Sequence, residues 1–569
     1  MGRINQEWIS LGRSGRICQE NELVGRGRGF KTAEAAVPLF RYNGPVNSTG
    51  PFPRNPPGPK SSARLFLALF LLGAAVRAVD VFRPADGRVR ESWRECDYAA
   101  VARNFHREGM NILRPRIDWR GDGPGFAEME LPVLPWAMAA LYKVFGLHEE
   151  IGRGLAWLVS LLMLLVFFAL ARRLLRPPGD AAASLFFVLS PLAVRVSNAL
   201  QPEGLMLLFL LVGLLHFLRW LDGGVRRSYW LSIAATAAAI LVKAPAVHIG
   251  ILFAGLLLWK KGPRAFLRAE TWLFGVLALA PAAAWYAHAH GLYLSFGNSL
   301  GLSDETHWIG LDLLRAPRTL FSLLLGAART EGLFVWTPAG VLFLGALLLS
   351  PKREEARGII LWWLGAVGLF YLAALRTVGD AWAAYYHVIA VPPAALTVGA
   401  VTARSARHRL SSRRDRFRGI VPAAGLLAVF GAEAVLVVHE FHPRDYVSLY
   451  SCSAPFAAVI PEGDLILATG GPARDETGRP VAYNASYFFY WLDRKGWNIP
   501  REAISPDEVR AYARKGARFF VSEKDVLDAA PGLEARLRAA FPAAAECPAA
   551  ILFRIGDSGP PRPESRPGG

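Results

Sequence analysis

The sequence predicts an α-helical polytopic membrane protein of about 11 transmembrane helices, followed by a small α/β domain outside the membrane. Three observations carry this. The chain has 569 residues, 53% of them hydrophobic, with a mean hydropathy of +0.27, which is more apolar than soluble chains of such length. Runs such as LAWLVSLLMLLVFFAL (155–170) and GLMLLFLLVGLLHFL (204–218) lack charge and approach bilayer thickness. Beyond residue 438 the long runs cease and short strand-like and helix-like segments alternate.

The ends are different in kind. Residues 1–61 are polar, rich in Gly, Pro and Arg, and close on NPPGPKSSAR; 557–569 are Pro/Gly-rich. Neither can bury enough apolar area to offset its ordering entropy, so both are expected to be disordered tails.

The formal net charge is +18 and the pI about 10.0. Such a balance suits nucleic-acid binding. Here, however, Lys and Arg gather in short loops between apolar runs, where positive charge sets membrane orientation, so no nucleic-acid partner is expected. With the basic tail inside, the first span, 63–82, runs outward, and 83–150 becomes a long outside loop. Within it LPVLPWAMAALYKVFG (131–146) is read as an amphipathic helix on the membrane surface. That choice places Arg172, Arg173, Arg176, the pair Arg226/Arg227, the group Lys260/Lys261/Arg264/Arg268, Lys352/Arg353/Arg357 and the run 403–418 all inside.

The remaining spans are then 152–171, 181–198, 204–221, 229–242, 245–259, 271–289, 333–350, 358–375, 381–401 and 419–438. The pair 229–242 and 245–259 is short, and one continuous helix there would invert everything downstream. Lys243 and Pro245 argue for a break. LDLLRAPRTLFSLLLGAA, in the outside loop 290–332, reads as a second surface helix. The domains expected are thus a tail (1–61), a transmembrane domain (62–438) with its first outside loop (83–150), an outside α/β domain (439–556) and a second tail (557–569).

In the α/β domain LILAT (465–469), FFVSE (519–523) and ILFRI (551–555) read as strands. ASYFFYWLDRKG and SPDEVRAYARKG read as helices closed by glycine. The four cysteines have no metal-ligand spacing; Cys452 and Cys547 are able to pair in an oxidising compartment, while Cys18 and Cys96 look unpaired.

Candidate chemistry falls on the outer side of this threading. Asp97, in RECDYAAVARNF at the start of the first outside loop, suits a general base; an ordinary solvated aspartate is the other reading. Asp118 and Asp122, in RIDWRGDGPG, look like turn formers. Glu130 precedes the surface helix, as a dipole-favoured cap, a cation ligand or a substrate contact. Glu203, in NALQPEGLMLL, faces either a cavity or interfacial water. Lys243 is either a phosphate contact or a snorkelling lysine. Tyr385, Tyr386 and His387 open WAAYYHVIAVPPAAL as belt residues or as donors to a phosphate. His307, beside Asp304 and Glu305, is a lone loop histidine or, with Glu130, a metal ligand, so a divalent metal cofactor stays open.

The segments CDYAAVARNF, IDWRGDGPGFAEMELPVLPWAMAALYKVFG, HEEIGR, ALQPE, LVKAP and YYHVIAVPP, in this order over roughly 63–400, resemble the GT-C fold polytopic glycosyltransferases. The likeness is to the bacterial branch related to protein mannosyltransferases and the lipid A aminoarabinose transferase (glycosyltransferase family 39-like). The resemblance implies that Asp97 is the catalytic base, that Glu130 and Glu203 lie near the reacting centre, and that Lys243 with Tyr385 or Tyr386 contacts the donor phosphate. It implies a membrane enzyme, a hexosyl- or pentosyltransferase of the bacterial inner membrane and cell envelope. The sugar would pass from a polyprenyl-phosphate-linked donor to a lipid, glycan or protein acceptor on the extracytoplasmic side. The sequence offers no second carboxylate clearly placed as a nucleophile, which favours direct inverting displacement. A lipid or glycan transporter or flippase also has many spans and cavity-facing charge, though it more often shows internal repeats.

Overall fold

The computed structural model describes residues 59–79, 81–86, 92–303, 311–350, 354–379, 381–411, 416–441, 446–474, 478 and 480–556. In chain order the helices are α1 (Pro59–Ala78), α2 (Ser92–Glu108), α3 (Val133–Phe145), α4 (Glu149–Leu174), α5 (Gly179–Leu189), α6 (Pro191–Asn198), α7 (Glu203–Gly223) and α8 (Arg226–Val242). They continue as α9 (Ile249–Lys261), α10 (Ala269–Phe296), α11 (Pro317–Thr330), α12 (Thr337–Leu348), α13 (Glu355–Ala373), α14 (Leu375–Val378), α15 (Val391–Ser411) and α16 (Arg416–Glu440). A helix lies at every expected span. By length and composition six of the described helices suffice to cross a membrane, or eight if the bent pairs α5–α6 (56°) and α11–α12 (99°) each count as one. Their outward faces carry Leu65, Leu71, Leu162, Trp272, Leu342 and Leu427, large apolar side chains left exposed as a lipid-facing surface requires.

The breaks have visible causes. Between α5 and α6 the chain passes Ser190–Pro191, and proline cannot donate to the preceding turn. The carbonyls freed there are taken by Arg77 of α1, wholly buried, which donates to Val188 O (2.8 Å) and Phe187 O (3.1 Å). An unsatisfied carbonyl in hydrocarbon is costly, so this arginine stabilises the bend. The chain is also broken after α8. Lys243 leaves the helix in an extended conformation (φ −160°, ψ 122°) and a 3₁₀ turn, Ala244–His248, precedes α9. α5 and α15 meet through glycine: a Cβ built on Gly179 would lie 2.3 Å from Gly399 O.

The first long loop differs from its expected form. Asp97 stands on a helix, α2, and not in a loop. The helix expected over 131–146 is present as α3 and packs on α2 and α4. The stretch before α3 is tied to the turn after α10: Glu128 N donates to Asn298 O (2.9 Å) and Leu300 N to Glu128 O (2.9 Å).

After α16, α17 (Tyr446–Tyr450) and α18 (Ser453–Ala457) lead into β1 (Leu465–Thr469), α19 (Tyr487–Leu492), β2 (Gly496–Ile499), α20 (Pro506–Lys515), β3 (Ala517–Glu523), α21 (Lys524–Asp528), α22 (Leu533–Ala540), β4 (Ala543–Glu546) and β5 (Ala550–Arg554). The sheet order is β2-β1-β3-β5-β4, parallel across β2, β1 and β3 and antiparallel at β5 and β4. Both faces are covered. Leu467, Phe520, Ile551 and Phe553 meet Val509, Leu527, Leu533 and Leu537 of the helices. Ile466, Phe519, Val521 and Leu552 join Ala99, Ala102, Phe105, Met138 and Phe489. The C-terminal sheet therefore shares a hydrophobic core with α2 and α3, and lies on the same side of the helical bundle as that first loop.

Cys452 and Cys547 form a disulfide across 95 residues of sequence, joining the start of α18 to the β4–β5 turn. Closing so long a loop is worth about 5 kcal/mol in the chain-entropy account. Replacing both cysteines by serine should lower the C-terminal domain's unfolding free energy, read by proteolysis in urea, by an amount of that order and move the urea midpoint down with it; an unchanged midpoint would show that the crosslink contributes no stability.

Candidate active site

Helix α2 is rich in charge yet buried, and each charge has a partner. Glu95 accepts from Arg153 Nη1 (3.0 Å), Arg153 Nη2 (3.1 Å) and Leu200 N (2.9 Å). Arg103 pairs with Asp118 at 2.6 Å. Arg94, Asp97, Tyr98 and Val101 follow the i, i+3, i+4, i+7 spacing that makes one helical stripe. This stripe meets three elements that the sequence separates widely.

The first is the stretch Met129–Leu131. Leu131 N donates to Leu241 O (3.0 Å) and Trp285 Nε1 to Met129 O (3.0 Å), which pins Glu130 against the end of α8. The second is the first turn of α7, which carries Glu203. The third is the break after α8, which carries Lys243. The Lys243 ammonium is hydrogen-bonded to Glu130 Oε1 and lies 3.4 Å from Glu203 Oε1. Arg94 Nη2 is 3.3 Å from Glu203 and 3.6 Å from Glu130. Tyr98 Oη donates to Glu130 Oε2 (3.0 Å). Two acids and two bases thus share one buried site, Glu203 being only 1% exposed.

Tyr385 and Tyr386 wall the same site, both buried, so they are not lipid-belt residues. The Arg94 guanidinium sits 4.3 Å from the Tyr385 ring centre, and Lys243 Nζ 5.5 Å from that of Tyr386. Glu130 does not cap α3, whose N-cap residue is Pro132. Burial opposes ionisation of Glu130, but Lys243 and Arg94 outweigh it and hold the carboxyl below its ordinary range. Among the described residues, neither Glu203 oxygen nor Arg94 Nε has a hydrogen-bond partner, although each is buried. The cluster is charge-paired yet incompletely hydrogen-bonded.

Asp97 lies one turn along from Arg94 and is 6% exposed, so it is not a solvated loop aspartate. Trp119 Nε1 donates to its Oδ1 at 3.2 Å. Burial pushes its pKa up to about 7; hydrogen bonds from Trp119 and Ser486 and the charge of Arg94 oppose that rise, and Asp118 adds to it. A carboxyl poised there can exchange a proton near neutral pH.

The other expected residues fall elsewhere. Asp118 is no turn former: it is wholly buried between Arg103, Asn104 and Lys495, and these ionic partners hold its carboxyl well below the ordinary range despite burial. Asp122 is exposed in a turn. His387 is buried with both ring nitrogens engaged, Nδ1 by Glu331 Oε1 (2.8 Å) and Nε2 by Val378 O (2.8 Å). Glu331 also accepts from Tyr371 Oη (2.7 Å) and Trp336 Nε1 (3.0 Å), so His387 belongs to a separate polar cluster at the α11–α12 bend. His307, Asp304 and Glu305 lie outside the described residues. Glu130 is held by Lys243 and Tyr98, and among the described residues no three His, Cys, Asp or Glu side chains group as metal ligands. Arg94, Tyr98, Trp119 and Ser486 escaped the sequence reading. Arg94 and Tyr98 were within reach of it, since Arg94 stands three residues before Asp97 and four before Tyr98, at helical spacing; nothing in the sequence joins Trp119 or Ser486 to Asp97.

Residues 124–288, which include Glu130, Glu203 and Lys243, match the family described as dolichyl-phosphate-mannose-protein mannosyltransferase. An uncharacterized protein of Aquifex aeolicus (strain VF5) is 23% identical over 252 residues, 43% of this chain and 48% of that protein, so the chain spans about half the length of this curated relative. Among solved structures, ArnT from Cupriavidus metallidurans bound to undecaprenyl phosphate superposes with a TM-score of 0.55 at 16% identity, over 88% of this chain and 100% of that one. The Archaeoglobus fulgidus oligosaccharyltransferase in its apo form gives 0.50 at 12% identity, over 80% of this chain and 69% of that one. At such identities the superpositions speak for the fold alone. The chain has the GT-C fold of these polytopic membrane proteins, and its residues 124–288 carry the match to the mannosyltransferase family.

Proposed function

We propose that this enzyme transfers a sugar from a polyprenyl-phosphate-linked donor to an acceptor on the extracytoplasmic face of the bacterial inner membrane, by direct inverting displacement with Asp97 as the base. The observation that carries the reading is the juxtaposition on one stripe of α2. A buried carboxyl titrating near neutrality stands beside two buried cations, Arg94 and Lys243, walled by tyrosines. The polyprenyl phosphate bound to ArnT is the leaving group such a reaction would release.

In this mechanism the donor's phosphodiester draws on Arg94 and Lys243, whose contacts to Glu203 are long, with Tyr98, Tyr385 and Tyr386 near enough to add hydroxyl donors. Desolvated cations are worth most where negative charge develops, here on the departing phosphate oxygen. The acceptor's hydroxyl or amine gives its proton to Asp97 as its lone pair attacks the anomeric carbon from the opposite face. The bond from that carbon to the phosphate oxygen breaks, and its electron pair leaves with the polyprenyl phosphate. Glu130 and Glu203 are engaged with Lys243 and Arg94, which argues against either as a covalent nucleophile. The Cys452–Cys547 pair and the inward bias of Lys and Arg both support an oxidising, outer location for the site.

Two predictions follow from this geometry. Asp97→Asn should reach the membrane folded and bind donor, yet release no polyprenyl phosphate; turnover at the wild-type rate would remove the base. Because the base must be ionised, kcat/KM should rise with pH through a midpoint near 7 and fall roughly hundredfold from its plateau by about pH 5; a flat profile would contradict the assignment.

Lys243→Met leaves Glu130 and Glu203 buried with Arg94 as their shared cation. It should destabilise the purified protein by about 3 kcal/mol, and the double variant Lys243→Met/Glu203→Gln should recover part of that loss. Thermal unfolding in detergent reads both; additive losses in the double variant would show that the two side chains are not coupled.

A further inference from the structure

Tyr385 and Tyr386, which wall the candidate site, stand on backbone that holds itself poorly. They lie in the 3₁₀ segment Ala381–Ala390, which is interrupted at Ala383 (φ −98°, ψ 25°). Such runs seldom exceed roughly three or four residues, because their hydrogen bonds are poorly aligned. α15 cannot be continued back through the segment either: Pro392 and Pro393 have no amide to offer the Val388 and Ile389 carbonyls. Groups outside the segment must therefore fix where the two rings point.

That support comes from the α11–α12 bend. His387, next in the chain after Tyr386, is wholly buried with a partner at each ring nitrogen, Glu331 Oε1 at Nδ1 (2.8 Å) and Val378 O at Nε2 (2.8 Å). The imidazole cannot turn without losing a bond. Glu331 is itself fixed. Its Oε1 also accepts from Tyr371 Oη of α13 (2.7 Å), and its Oε2 from Trp336 Nε1 (3.0 Å). The backbone that presents it is unusual: Glu331–Val335 is one turn of π-helix, Thr337 has φ +57°, and the chain bends by 99°. A π turn often marks a functional position, and a left-handed conformation strains a β-branched residue. Such geometry persists where its surroundings over-determine it. Here the side chains that do so converge on Glu331, and His387 carries that order towards the site.

The same short segment meets the two cations of the site. The Tyr385 ring centre lies 4.3 Å from the Arg94 guanidinium, and that of Tyr386 5.5 Å from Lys243 Nζ. We propose that Glu331 is a positioning residue for the tyrosine wall. Through His387 it fixes Tyr385 and Tyr386 against Arg94 and Lys243, so that their hydroxyls are aimed at the donor's phosphate. The proposal rests on the reading of these tyrosines as phosphate contacts for its purpose, and on the position of the rings for its test.

The test uses the full chain in lipid nanodiscs, with 3-fluorotyrosine placed at position 386 alone. Two quantities are read: the fluorine resonance, which reports where the ring lies, and the binding of added undecaprenyl phosphate. Glu331→Ala should displace or broaden the resonance and weaken binding roughly tenfold. Glu331→Gln keeps one oxygen for Tyr371 and His387 and should displace it less; if the alanine variant does not accumulate, the glutamine variant is read in its place. In unlabelled Tyr385→Phe/Tyr386→Phe protein, Glu331→Ala should cost less than about twofold in binding, because the hydroxyls it positions are gone. A resonance unmoved in the variant read overturns the proposal, as does the full tenfold loss in the phenylalanine background. The two claims separate: a displaced ring with undiminished binding removes the tyrosines as phosphate contacts and leaves the positioning by Glu331 standing.

Discussion

The structure depends on the Lys243 ammonium lying between Glu130 and Glu203 inside the protein. Two carboxylates cannot be brought so close in a poorly hydrated site without a cation between them, and an isolated buried ammonium would be as costly. Each group makes the others tolerable. The consequences are architectural. α8 must end at Lys243, so the chain breaks there; Glu130 must arrive unhelical, so α3 starts only at Val133; and Glu203 must sit at the first turn of α7, where the helix dipole favours an acid. Arg94 closes the set from α2 and thereby fixes the helix that carries Asp97.

The second constraint is the clamp between α2 and the C-terminal domain. Arg107 Nη1 donates to both carboxylate oxygens of Asp493, Oδ1 at 2.9 Å and Oδ2 at 2.8 Å. Lys495 and Arg103 share the buried Asp118, and Trp491 Nε1 donates to Ala85 O at 2.6 Å. Gly121 N donates to Gly496 O (2.5 Å) and Gly496 N to Asp118 O (3.2 Å), so the loop behind Asp97 continues the sheet at the free edge of β2. Here glycine is needed: Gly121 has φ +63°, and a Cβ there would meet the Trp497 ring at 2.4 Å. An edge strand covered in this way is protected from pairing with another chain. The C-terminal domain is therefore half of the wall that dries the carboxyl, and burial is the largest reason that carboxyl titrates where it does.

Much of this was legible in the sequence, for reasons that can be named. Apolar runs with basic flanks gave the helices, and Lys243–Pro245 gave the break, because proline and a charged residue act locally. β1, β3 and β5 were readable as runs buried on both faces. β2 and β4 were not, since GWNI and AAAE are four residues each and owe their pairing to neighbours. α2 looked like a charged loop because its polarity suits solvent; only the partners Arg153, Glu203 and Asp118, supplied from afar, make it a buried helix. Glu130, Glu203, Lys243, Tyr385 and Tyr386 come together in one buried cluster. His387 joins a different cluster, because Glu331 competes for its imidazole, and a lone histidine's partner cannot be read from its sequence neighbours.

The most direct measurement is a structure of the chain with a non-hydrolysable polyprenyl-phosphate sugar. The account predicts the phosphate between Arg94 and Lys243 with the anomeric carbon facing Asp97. A phosphate seated elsewhere in the bundle, with Lys243 still closed on Glu130 and Asp97 remote from the sugar, would contradict it.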